Sequence, residues 1–191
     1  SSNSMDDFLL KLVNDNDHPN KVIELDDVLF VTIKVLKTEG FEFDSEQMIF
    51  IVSHNFIWSV QEKKGDYFQW IRDRLESNIG ISRKKRADYL LFLLLESIVD
   101  NYQETYEKYY EKIDKEFNVV DVNPTQEFTL LIEQKKGDLY SFKKAAMSLR
   151  DILVRLEKSN IKNFNAKYFS ELKEQINKNI SKSSAKEKAT N

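Results

Sequence analysis

VQEKKGDYFQWIRDRLESNIGISRKKRADYLLFLLLESIVDNY, residues Val60–Tyr102, is the stretch in which the pattern of the chain changes. Before Gly65 the apolar residues form short runs; after it they recur at a spacing near 3.6. Tyr67, Phe68, Ile71 and Leu75 fall on one side of a helix, with Arg72, Asp73, Arg74 and Glu76 on the other. Asn78-Ile79-Gly80 ends that helix, because Asn and Gly tolerate the left-handed conformation that a helix stop uses. Ser82 then reads as the N-cap of a much longer helix. From Arg83 to about Phe117 there is neither Gly nor Pro. Leu91, Leu94, Leu95, Ile98, Tyr102, Tyr106, Tyr109, Ile113 and Phe117 make a stripe along a rod of roughly 50 Å.

Upstream the period is that of strands. VLFVTIKVL (Val28–Leu36) is β-branched and apolar, as a buried strand is, and Gly40 marks a turn. Gln47–Val60 holds two further apolar runs split by His54-Asn55, which reads as strand, Asx-type turn and strand. An antiparallel hairpin is therefore expected after the first strand. Met5–Asn14 is a short amphipathic helix candidate with Phe8, Leu9, Leu12 and Val13 on one side, and Asn14–Asn20 reads as a turn.

Downstream, Pro124 closes a short connection. A helix is expected over Thr125–Leu156, with Leu139, Phe142, Ala146, Leu149, Leu153 and Leu156 forming the heptad seam of an antiparallel helix pair. Gly137 is its weak point and leaves two shorter helices open. A last helix begins near Ala166 and loses its apolar stripe after Ile180, so 181–191 is expected to be a flexible tail. Ser1–Ser4, ahead of Met5, read as a tag remnant, which leaves one domain over 5–180. Strands first and long helices after point to an α/β (α+β-like) fold. It would be a mixed β-sheet layered with helices, including a long antiparallel helical hairpin.

Composition narrows the function. No window approaches eighteen consecutive apolar residues; the longest run is Tyr89–Leu95, so these residues cannot span a bilayer. Cysteine is absent, which excludes disulfides, thiolate metal sites and cysteine nucleophiles. With 29 basic against 32 acidic residues, the chain lacks the basic footprint of a nucleic-acid binder. The two histidines, His18 and His54, both fall in predicted turns without a nucleophile–base arrangement, and no phosphate-loop, HExxH or EF-hand spacing occurs. No catalytic residue is expected, and the protein is not read as an enzyme.

Glu96, Asp100 and Glu104 stand at i, i+4 and i+8 on the long helix, so their carboxylates share a face and repel. A hard divalent cation such as Mg²⁺, which takes oxygen ligands and keeps several waters, would relieve that repulsion. On spacing alone, a solvated acidic face balanced by lysines such as Lys108 is the favoured reading. Arg83-Lys84-Lys85-Arg86 at a predicted helix N-terminus opposes the helix macrodipole. Without an aromatic platform beside it, it reads as a solvated or inter-subunit ion-paired segment rather than a nucleic-acid site. The tyrosines Tyr102, Tyr106, Tyr109 and Tyr110 read as a packing seam with hydroxyls at its wet edge.

Val60–Tyr102 resembles the middle of the cytoplasmic domain of the CorA-type magnesium/cobalt transporter family. The resemblance rests on Val-Gln-Glu before Gly65-Asp66, on the Arg-containing helix, and on Arg-Lys-Lys-x-Ala-Asp-Tyr-Leu-Leu, in which Asp88, Tyr89, Leu90 and Leu91 fit. Upstream, HPNKV and DDVLFVTIKVL, and downstream LRDILVRL and Tyr168-Phe169, extend it over about Met5–Ile180. It implies a CorA-like α/β/α domain of a homopentamer, placed on the cytoplasmic face of the inner membrane. The stalk and membrane helices would follow this chain, and the first part of the family's sheet would precede Met5. Membrane contact would come only through those later helices.

The resemblance also implies divalent-cation sites between neighbouring domains. Glu96 falls on one acidic position and Glu171, from a neighbouring subunit, on another; Asp100 joins them as a third candidate ligand. A further acidic pair of the family is replaced here by Lys11-Leu12-Val13, with Asp15 and Asp17 the nearest acidic substitutes. The implied function is a regulatory domain that senses Mg²⁺, or Co²⁺, through inter-subunit carboxylates. The alternatives are the same domain of a related zinc transporter, or a non-catalytic helical scaffold that binds a partner protein.

Overall fold

A computed structural model describes residues 7, 10, 11, 13, 20–25, 27–36, 43, 45–62, 67–78, 80, 81, 84–119, 126–159 and 165–189, the side chains of 116–119 and 186–189 aside. Four strands, β1 (Lys21–Leu25), β2 (Val28–Leu36), β3 (Ser45–Ser53) and β4 (Ile57–Gln61), form one sheet in sequence order. Each neighbour is antiparallel, with Val31 opposite Phe50 and Ile51 opposite Trp58. The expected hairpin is β3–β4, closed at His54-Asn55 by Ser53 N–H donating to Phe56 O at 2.9 Å. The strand β1 is an addition: KVIEL is too short for period two to stand out, and its pairing is completed from β2. Lys21 N–H donates to the buried Thr32 Oγ1 at 3.2 Å, and Asn20 Oδ1 accepts Lys34 N–H at 2.8 Å.

The apolar runs of β2 and β3 are continuous because the sheet is covered on both faces. Leu29, Val31, Ile33, Val35, Met48, Phe50 and Val52 point to one side and join the helices in the main core. Phe30, Ile49 and Ile51 point to the other, where Val13 of the helical N-terminal residues packs on them.

The helices are α1 (Gln69–Glu76), α2 (Ala87–Val119), α3 (Gln126–Glu157) and α4 (Lys167–Ala189). The expected stop after α1 is present, with Asn78 at φ 55° and Gly80 at φ 78°. The start expected at Arg83 is corrected to Ala87; Ser82 and Arg83 lie outside the described residues. Lys84, Lys85 and Arg86 are exposed and precede the helix, so no basic run sits in its first turn and the conflict with the macrodipole disappears. The helix α4 continues beyond Ile180, where its apolar stripe was expected to end, because Ala, Ser, Lys and Glu permit it and Ser183 is fully buried.

The helix α3 also runs unbroken through Gly137, around which a Cβ would meet nothing within 4 Å. Gly137→Ala should therefore raise stability by about 0.5–1 kcal/mol, because alanine costs less backbone entropy in a helix. A urea midpoint at or below that of the parent would refute this.

The expected antiparallel helix pair is present. Tyr109 donates to Asp138, and Tyr102 and Tyr106 both lie against Phe142, so α2 and α3 are antiparallel. Those rings stand between the two backbones, and the heptad seam of α3 packs most closely on α4. Tyr168 against Tyr89 and Phe92, Gln175 on Asp100, and Lys182 near Glu107 show that α4 runs parallel to α2.

Candidate functional site

The acidic line of α2 divides three ways. Glu104 is paired with Lys108 at 2.6 Å, one turn on, and both are exposed, so it is the solvated pair that its spacing favoured. Asp100 is exposed and accepts Gln175 Nε2 from α4 at 2.8 Å. Glu96 is half-buried, and its carboxyl is held above the ordinary range. Burial does most of this, followed by the charge of Asp100; Arg74 opposes them, and Glu171 adds to the rise.

Three elements converge there. On α1, Trp70 Nε1 donates to Ser97 Oγ of α2 at 2.8 Å. One turn later Arg74 turns back over Gly80, where a Cβ would meet its Nη2 at 3.2 Å, and so directs its charge at Glu96. Sequence reasoning had placed Arg74 on the polar face of α1 and missed Trp70; neither shows a period that announces a partner on another helix.

The third element is α4. The residue two positions before it is held to the first turn of α2 by the buried Asp88, whose Oδ2 accepts Asn165 N–H at 3.1 Å while Oδ1 accepts Tyr89 N–H at 2.9 Å. Because α2 and α4 then run in the same direction, Glu171 comes within electrostatic reach of Glu96 in the same chain. Asp15 and Asp17 lie outside the described residues.

With Asp100 and Glu171 exposed, three carboxylates and one guanidinium make an open, net-acidic patch. Among the described residues no group of three or more acidic or histidine side chains is close enough to enclose an ion. The donor set suits a hydrated hard cation, bound by carboxylate oxygens and completed by water or by a second chain.

No helix among the described residues is long and apolar enough to cross a membrane. Residues 3–190 match the model of a family described as CorA-like Mg²⁺ transporter protein. The chain is 36% identical over 138 residues to the cobalt/magnesium transport protein CorA of Thermotoga maritima, covering 71% of this chain and 39% of that one. The complete CorA magnesium transporter of Methanocaldococcus jannaschii superposes with a TM-score of 0.78 at 16% identity, over 95% of this chain and 58% of that one. The cytoplasmic domain of ZntB from Vibrio parahaemolyticus superposes with a TM-score of 0.71 at 15% identity, over 96% and 73%. These two structural likenesses speak to the fold alone.

Proposed function

This chain belongs to the CorA-like Mg²⁺ transporter family, and from that premise we propose that it is the regulatory, non-catalytic part of a divalent-cation transporter. It would lie on the cytoplasmic side of the membrane and sense Mg²⁺, or Co²⁺, through Glu96, Asp100 and Glu171. The chain spans about 39% of its curated relative, so transport itself and assembly into a pentamer belong to the proposal.

The observation that carries the sensing role is the half-buried Glu96 set beside two further carboxylates. A bound divalent cation removes their mutual repulsion and joins them to carboxylates or water on an adjacent subunit. High Mg²⁺ then favours the arrangement in which the patches face an ion, and low Mg²⁺ releases it. The ion shifts the equilibrium by its difference in affinity for the two states.

The expected result is a gain of about 1.4 kcal/mol, or about 3–6 °C in melting temperature, with Mg²⁺ or Co²⁺ at about ten times its dissociation constant. Light scattering should show accompanying self-association. Glu96→Gln/Glu171→Gln should abolish the ion's effect while melting no lower than the parent in EDTA. Because the folded-state value of Glu96 is raised, its charge costs stability as pH rises through the carboxylate range. The ion's benefit should accordingly shrink as pH falls and a proton takes its place. An equal response in parent and variant would sink the assignment of these residues.

A further inference from the structure

Within the two turns of α2 that follow Glu104, a groove of ≈ 460 Å³ opens between α2 and α4, lined by Tyr106, Glu107, Tyr110, Glu111, Lys182 and Ala185. Its chemistry differs from that of the Glu96 patch. The Tyr106 and Tyr110 rings are stacked with centroids 6.3 Å apart, and Glu107 and Glu111 stand one turn apart beside them. Glu107 Oε1 accepts Gln103 Nε2 at 3.0 Å, and its charge is only loosely matched by Lys182 Nζ at 3.9 Å, both Glu107 and Lys182 being more than half exposed. Among the described residues Glu111 has no ion-pair partner.

A second observation points to a ligand. Tyr106 is 5% exposed, and its hydroxyl is closed off from solvent without a hydrogen-bond partner. Burial, with Tyr110 beside it, pushes that phenol up to about 12, so it stays neutral and able to accept. At the same level α4 carries two more buried polar groups without partners, Asn179 Nδ2 and Ser183 Oγ. Unpaired buried groups of this kind are uncommon and costly, and of the three Tyr106 lines the groove itself.

We propose that this groove binds a flexible alkylammonium ligand, a diamine or polyamine. Aromatic faces attract weakly hydrated organic cations, whereas Mg²⁺ holds its waters too firmly to use them. Two carboxylates one helical turn apart match ammonium groups joined by a short methylene chain, and the methylenes lie against the apolar walls. Lys182 then acts as a built-in competitor, which swings away from Glu107 when the ligand enters.

Calorimetric titration of the chain with spermidine tests this, against NaCl of matched ionic strength and against Mg²⁺. Glu111→Gln and Tyr110→Leu should each weaken spermidine about fivefold and Tyr106→Phe about twofold, while Lys182→Ala should tighten it about twofold. Glu96→Gln/Glu171→Gln should bind spermidine as the parent does, so the two sites fail independently. Weaker binding in Lys182→Ala, unchanged affinity in Glu111→Gln, or displacement by millimolar Mg²⁺ would overturn the proposal. Self-association that spermidine disperses would also overturn it, by assigning the groove to a lysine of a second copy.

Discussion

Phe142→Ala should cost the fold about 3–5 kcal/mol, enough to remove much of the stability of a domain of this size. Phe142 is wholly buried at the centre of the helical layer. Its ring lies 5.0 Å from Tyr106, 5.2 Å from Phe43 and 6.1 Å from Tyr102, centroid to centroid. Removing it takes the middle from a cluster that keeps α2 and α3 apart at a fixed distance, and neighbouring rings cannot collapse into the space without tilting both helices. Tyr140→Ala, two residues away on the same helix and 62% exposed, should change stability by less than about 0.5 kcal/mol. Urea unfolding followed by circular dichroism measures both. A loss below about 1.5 kcal/mol for Phe142→Ala would mean that the cluster repacks, and the spacing of α2 and α3 would then need another cause.

Asp88→Ala should cost about 2–3 kcal/mol, and its effect on the site should exceed its effect on the fold. The Asp88 carboxyl accepts two backbone N–H groups, one at the start of α2 and one just before α4. Without it Asn165 N–H loses its acceptor, while Tyr89 N–H keeps Arg86 O at 3.1 Å, at a place where Asp88 itself is only 8% exposed, and an unmet buried donor carries its full desolvation cost. The start of α4 is also released from α2, and with it the register that sets Glu171 beside Glu96. The ion-dependent rise in melting temperature should then fall with the stability, whereas Asp88→Asn, which keeps one acceptor oxygen, should lose under about 1 kcal/mol and retain the ion response. Hydrogen exchange at Asn165 reports the released amide directly. Full protection there in Asp88→Ala would contradict this account.

Much of the architecture was legible because it is written in local period. The switch at Gly65, the strands of β2 to β4 and the stop at Asn78–Gly80 follow from spacing and turn chemistry over fewer than ten residues at a time. The family was legible for a different reason: Gly65-Asp66 and Ala87–Leu91 keep a fixed order of residue types. The strand β1 was missed because five residues carry little period and its pairing is completed by β2. The start of α2 was misplaced because a serine followed by basic residues satisfies a capping rule locally, while the helix begins only where Asp88 can reach Asn165.

The candidate site was half legible. Glu96, Asp100 and Glu104 were visible as a line, and Lys108 four residues on marked Glu104 as balanced, but nothing in the spacing showed that Glu96 is half-buried among like charges. The amino-acid sequence by itself determined the elements, the two-sided burial of the sheet and the family, since each depends on residues near one another in the chain. Only the tertiary structure decided that α4 runs parallel to α2, that Arg74 and Glu171 meet Glu96, and that Tyr106 is buried without a partner. Burial and charge are properties of neighbours in space, and those neighbours are 22 and 75 residues from Glu96 along the chain.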